Sequence, residues 1–181
     1  MDTRLAILDL GEYLIRTKGY HAFSYKDIAD ELQIKNAAVH YHFPSKTDLG
    51  MAVLERAIER IGFSSRQWEQ LPEDQQLKRF LNTYFESNAR GTVCLMGALS
   101  AASTELPEEM RLKLKEMGDL ILAWVSKCLA DGKRKGIFEF KEKPATKATM
   151  LVSNMLASLL FSRVLGKKHF ETIYKQVLAS V

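Results

Sequence analysis

The chain has 181 residues, of which 46% are apolar and 27% charged, close to the average of globular proteins. That excludes a disordered or fibrous chain and leaves no room for a large multidomain enzyme. Its net charge of +4 does not by itself mark a nucleic-acid site: residues 1–60 hold eight Lys/Arg against nine Asp/Glu, so the excess lies further on. Two stretches are nevertheless basic and free of acid, residues 13–26 with Arg16, Lys18, His21 and Lys26, and residues 32–47 with Lys35, His40, His42 and Lys46. No run of about 18 apolar residues is expected to span a membrane, because the richest stretch is interrupted by Ser153, Asn154 and Ser158. The N-terminus carries Asp2, Asp9 and Glu12 where a signal peptide has a basic then an apolar region, which points to the cytoplasm. Cys94 and Cys128 form no CxxC and match no histidine spacing, so neither a disulfide framework nor a zinc site is expected.

The first element is a helix whose apolar face is Ile7, Leu8, Gly11, Leu14 and Ile15, recurring at helical spacing, with Gly19 as its stop. Ser24 and Asp27 have the spacing of a capping box flanked by the staple pair Phe23 and Ile28, which predicts a short helix over 25–32. A third short helix is predicted over 36–42, closed by Phe43-Pro44. Ser45 and Asp48 repeat the capping spacing and open a long fourth helix.

Two short helices joined by a tight turn, with Ile28, Ala29, Leu32, Ile34 and Val39 apolar, meet the requirements of a helix-turn-helix. Ala29 allows close approach, Ile34 plugs the turn and Val39 seats the second helix. The opposite face carries Lys35, Asn36, Ala38, His40, Tyr41 and His42. Small residues at Ala37 and Ala38 let the backbone near a groove, and the polar side chains can donate to phosphates or base edges. Histidines two apart on a helix point roughly 200° from one another, so His40 and His42 are not read as metal ligands.

The combination of Ile7-Leu8, Leu14-Ile15, Gly19-Tyr20, Asp27-Ile28-Ala29, Ile34, and Val39 through Lys46 followed by Leu49 resembles the tetracycline-repressor (TetR) family of bacterial transcriptional regulators. The resemblance covers about the first 55 residues. This chain departs from the family pattern at Gln33, where a turn glycine is usual, at Lys35, where a serine cap is usual, and at Ala37, where glycine is common. These changes are expected to move the cap to Asn36.

The remaining chain reads as helix over 73–90, 93–104, 108–135, 145–165 and 168–180, with Pro107 and Pro144 at starts and Gly136 at a stop. Lys133 to Lys135 complement a helix C-terminus. The expected fold is all-α with about nine helices: a three-helix DNA-binding unit in residues 1–47 and a helical ligand-binding and dimerisation bundle in residues 48–181. Broad apolar stripes at 148–160 and 170–178 exceed what one small domain covers. The resemblance implies that they form a four-helix dimer interface using Leu151, Met155, Leu159, Phe170, Ile173, Tyr174 and Val177.

Trp68, Phe80, Tyr84, Phe85, Asn88, Cys94, Trp124 and Met155 are candidates for the wall of a mainly apolar ligand pocket. The stretch from Val93 resembles the Gly-Cys-Leu segment of one family branch, some members of which sense electrophiles through the thiol. Cys94 is thus either a sensor or a packing residue. DNA contacts are assigned to Ser24, Tyr25, Lys26, Lys35, Asn36, Ala37, Ala38, His40, Tyr41, His42 and Lys46. Phosphate loops, GxSxG, HExxH and catalytically spaced carboxylates are missing from the sequence, so the chain reads as a non-enzyme without cofactor or metal. The expected activity is that of a homodimeric regulator, most simply a repressor. It would bind a palindromic double-stranded operator and be released by a small-molecule or electrophilic effector. The alternative is a helical dimeric interaction module without specific DNA binding.

Overall fold

The computed structural model describes residues 2–181. Among them the chain forms nine helices and no strand: α1 (Thr3–Thr17), α2 (Tyr25–Leu32), α3 (Asn36–His42), α4 (Lys46–Trp68), α5 (Glu73–Ala89), α6 (Leu95–Ser100), α7 (Glu108–Arg134), α8 (Pro144–Leu165) and α9 (Lys167–Leu178). Helix α1 starts where the Asp2 carboxylate accepts from the Arg4 amide at 2.9 Å and ends before Gly19, whose φ of 101° is the left-handed conformation glycine tolerates. Both capping boxes form. The Ser24 amide donates to Asp27 at 2.6 Å, the Ser45 amide donates to Asp48 at 2.8 Å, and each serine hydroxyl accepts in return.

The helix-turn-helix is held by Ile7, Ile15, Ile28, Val39, Phe43, Leu49 and Val53, all essentially inaccessible. Each such side chain contributes about 1.5–3 kcal/mol by leaving water. Close approach of α1 and α4 depends on Gly11, where a Cβ would lie 3.0 Å from a Leu49 methyl. Gln33 closes α2 with φ 54° and ψ 43°, so the turn adopts the left-handed conformation that glycine usually supplies, here with a side chain. The cap of α3 does not move to Asn36. Lys35 occupies the cap position, no side chain caps the helix, and the Lys35 carbonyl accepts from the Ala38 amide at 2.8 Å.

Helix α4 runs unbroken from the helix-turn-helix into the remaining helices, packing on α1 at one end and on α7 along its length. Helix α6 is shorter than its apolar sequence suggests. The Val93 amide is pinned to the Arg16 carbonyl at 3.2 Å, delaying the start to Leu95, and beyond Ser100 the chain continues as turns into Leu106-Pro107, where proline keeps the preceding residue extended. Lys133 does more than face a helix terminus: its Nζ donates to the Phe140 carbonyl at 2.6 Å and ties down the segment between α7 and α8. Gly132 lets that segment cross α7, since a Cβ there would lie 2.3 Å from the Phe138 ring.

Helix α8 corrects one expectation, because it is long and apolar enough by composition to cross a membrane. The residues that break its central apolar run, Ser153, Asn154 and Ser158, are uncharged and dilute the apolar character little. In the fold it packs between α7 and α9 and against α5, with Leu151, Met155 and Leu159 buried, as a central helix of a bundle does.

Candidate nucleic-acid interface and internal cavity

Helix α3 turns Val39 fully inward and carries no acid. Lys35, Asn36, Ala37, His40 and Tyr41 are exposed and Ala38 partly so. Tyr41 is 82% accessible, with His42 edge-on to it at 5.1 Å. Nothing in the subunit's own packing accounts for so open a tyrosine. His40 lies 4.8 Å from the Tyr25 ring, with Nδ1 3.3 Å from the Pro44 carbonyl, so its ring is oriented while staying accessible. Lys26 is exposed on α2.

Three of the other residues expected at DNA are committed within the subunit. Tyr25 is buried and its hydroxyl donates to the Ser45 carbonyl, joining α2 to the start of α4. Burial, then the Asp48 charge, pushes that phenol well above its ordinary range. Lys46 donates to the Phe23 carbonyl and stands 4.0 Å over the Phe23 ring; burial draws its ammonium below the usual lysine range. Ser24 is occupied by its capping box, and hydrogen bonds from Ser24 hold the Asp27 carboxyl below the ordinary range. The accessible donors are therefore Lys26, Lys35, Asn36, His40 and Tyr41, carried on a joint locked from beneath.

A cavity of about 340 Å³ opens among α1, α4, α5, α6 and α7. Trp68, Phe80, Tyr84, Cys94 and Trp124 line it as the sequence suggested, with Met96, Met117 and Ile121. The aromatic wall is continuous: Trp68 to Trp124 is 5.6 Å, Phe80 to Trp124 5.8 Å and Phe80 to Tyr84 5.5 Å between centroids. Phe85, Asn88 and Met155 are not among the lining residues. Phe85 packs toward Tyr174 on α9 at 5.5 Å, Asn88 accepts from Ser162, and Met155 is enclosed beneath α8. Burial pushes the Cys94 thiol up, more than the Gly97 amide donating to its sulfur at 3.4 Å draws it down.

Beyond the residues expected from the sequence, the cavity has a cationic end, where Arg16, Arg60 and Arg90 meet Glu12 and Glu86. Glu12 is 5% exposed. Its Oε1 accepts from Arg60 at 2.8 Å and Arg16 at 3.3 Å, and its Oε2 accepts from Arg56 at 2.7 Å. Burial opposes ionisation of this carboxyl, but the hydrogen bonds and charges of Arg60 and Arg56 outweigh it and hold the group below the usual range. Arg16 also donates to the Val93 carbonyl at 2.9 Å and to Ser87 at 2.8 Å, tying α1 to α5. A signal was present in the sequence: Glu12 stands between Leu8 and Ile15 on the apolar face of α1, and a buried acid requires cations.

On α8 and α9, Leu151, Met155, Leu159, Phe170 and Val177 are buried within the subunit, and Ile173 and Tyr174 are partly covered. The apolar surface left open there is Met150, Leu160, Phe161, Val164 and Leu165, which differs from the set expected to face a partner.

The profile of "Bacterial regulatory proteins, tetR family" matches residues 7–53, the segment from α1 into α4. The HTH-type transcriptional repressor NemR of Escherichia coli (strain K12) is 25% identical over 169 residues, covering 90% of this chain and 85% of that protein. The crystal structure of a TetR transcriptional regulator from Legionella pneumophila superposes with a TM-score of 0.88 at 28% identity, over 100% of this chain and 98% of that one. The reduced form of E. coli NemR shares the fold, with a TM-score of 0.78 at 23% identity over 99% and 97% of the two chains.

Proposed function

We infer that this chain, which belongs to the TetR family of bacterial regulatory proteins, represses transcription as a homodimer on a palindromic operator and is released by a small molecule held in the internal cavity. DNA binding and non-enzymatic action follow from the family; the two-fold operator, the dimer and the effector are our reading. The observation that carries it is α3 itself, an acid-free helix with an 82% accessible tyrosine on a core that leaves it no freedom to turn. Lys26, Lys35, Asn36, His40 and Tyr41 are the proposed contacts. The first two set the register through phosphates and the others reach base edges in the major groove.

The partner surface we propose is the C-terminal end of α8, where Leu160, Phe161, Val164 and Leu165 stand exposed at adjacent helical positions in the single subunit. A patch of this kind is what a subunit interface covers. A two-fold arrangement would place two α3 helices one DNA turn apart, which is why the operator should be palindromic. Because α4 carries the helix-turn-helix at one end and walls the cavity further along, an occupant favouring another position of α4 would shift the population away from the DNA-competent form. The half-buried Cys94, with its thiol pushed up by burial, supports a cavity-wall role over a poised thiolate sensor. Selection of bound fragments from the source genome with purified protein tests the reading. Enrichment of one palindromic sequence, abolished by Tyr41→Ala, is expected; no enriched sequence would overturn it.

A further inference from the structure

We propose that the cavity takes an amphipathic monocarboxylate, with its ring or chain among Trp68, Phe80 and Trp124 and its carboxylate on Arg60 and Arg16, in competition with Glu12. This deepens the effector reading above and rests on it. Charge at the α1 end of the cavity is uneven. One buried carboxylate, Glu12, serves three guanidiniums: its Oε1 is shared between Arg60 and Arg16 and its Oε2 is taken by Arg56. Arg60 has no other ion pair among the described residues. Arg56 finds a second acid in Asp9 on the outer side, yet its buried Nε still lacks a hydrogen-bond partner among the described residues. Arg90, also at this end, is paired only loosely with Glu86 at 3.5 Å.

Four guanidiniums thus face three carboxylates, Asp9, Glu12 and Glu86, which leaves one positive charge uncompensated and suits a monoanion better than a dianion or a cation. Guanidinium forks bind carboxylates with directed pairs of hydrogen bonds. A smaller recess of about 200 Å³, lined by Arg56 and Tyr13, adjoins the main cavity through Glu12, Arg16, Arg60 and Arg90, so the cationic end is open to a ligand. At the other end Trp68 and Trp124 lie edge to face at 5.6 Å, an apolar wall with no charge to satisfy. A ligand bridging both ends must be apolar at one and anionic at the other. Its carboxylate would draw Arg60 and Arg16 from Glu12, loosening the clamp that binds α1 to α4 and α5.

The test is calorimetric titration of the full chain with phenylpropionate and with its neutral isostere phenylpropionamide. The variants are Arg60→Met, at a side chain 54% exposed, and Glu12→Gln, with thermal melts confirming that each is folded. Phenylpropionate should bind at least about tenfold tighter than the amide, the worth of one charge-assisted hydrogen bond. Arg60→Met should close that gap by weakening the carboxylate alone, and Glu12→Gln should widen it by freeing the guanidiniums. Equal affinities in the wild type, or a gap unchanged by Arg60→Met, would overturn the carboxylate assignment and leave the effector cavity standing. A gap narrowed by Glu12→Gln would overturn the competition. Binding of neither compound would overturn both this proposal and the cavity reading, with operator binding unaffected.

Discussion

Replacing Gln33 by glycine should make the protein more stable, although glycine is among the poorest residues for ordered structure. Gln33 has φ 54° and ψ 43°, and a side chain in that conformation costs about 1–2 kcal/mol from the clash of Cβ with the backbone. Glycine removes the clash but gains freedom in the unfolded chain, which offsets about 0.5–1 kcal/mol. Nothing else changes: the Gln33 side chain is exposed, and the turn is held by backbone groups, the Ile34 amide donating to Ala29 at 3.0 Å and the Gln33 amide to Asp30 at 3.3 Å. The net gain is about 0.5–1 kcal/mol, which in a chain of this size raises Tm by about 1–4 °C. Thermal unfolding followed by circular dichroism measures it directly. Gln33→Val, with a β-branched side chain in the same conformation, should lower Tm. A Gln33→Gly protein that melts at or below the wild-type temperature would show that the left-handed Gln33 carries no such strain.

Packing and charge lead to four further expected outcomes. Glu12→Gln should cost about 1–3 kcal/mol at neutral pH, the value of hydrogen bonds to charged partners. Because the folded carboxyl titrates below its ordinary range, the wild type's advantage is full above that range and lost as pH falls through the folded value; urea titrations across acid pH would show the two proteins converging. Gly132→Ala should destabilise by about 1–3 kcal/mol, because its Cβ would overlap the Phe138 ring. Gly62→Ala should stabilise by about 0.8–1 kcal/mol as a helix-interior change whose nearest neighbour is the mobile end of Arg66 at 3.4 Å; comparative melts check the opposite signs. Cys94, its thiol raised by burial, should react with iodoacetamide more slowly than free glutathione at neutral pH, and a faster rate would return the thiol to the role of sensor.

The helix-turn-helix was legible almost to the residue because its signals are local. Capping boxes at Ser24 and Ser45, the staple at Phe23 and Ile28, and Pro44 all act within a few positions and need no distant partner. Helix α6 was overextended because its true start depends on Arg16, distant in sequence, holding the Val93 amide. The same distance hid the functional meaning of Tyr25 and Lys46. Their residue types suit DNA contact, but the fold turns one toward Ser45 and the other toward Phe23. The cavity's aromatic wall could be read from composition, whereas its arginines could not, since Arg16, Arg60 and Arg90 look like ordinary helix-surface cations until Glu12 gathers two of them. Which apolar residues of α8 face inward was also ambiguous. A stripe broad enough to cover most of a helix does not say which side its own subunit uses.

Helix α3 is proposed to read a defined DNA sequence. A binding titration of the enriched genomic fragment and a scrambled fragment of equal length, at two salt concentrations and with wild type and Tyr41→Ala, tests it most directly. A preference for the enriched fragment of at least about a thousandfold is expected, persisting at the higher salt and collapsing in Tyr41→Ala. Binding that falls steeply with salt and is equal for both fragments and both proteins would contradict it, because such binding is charge attraction to phosphates alone.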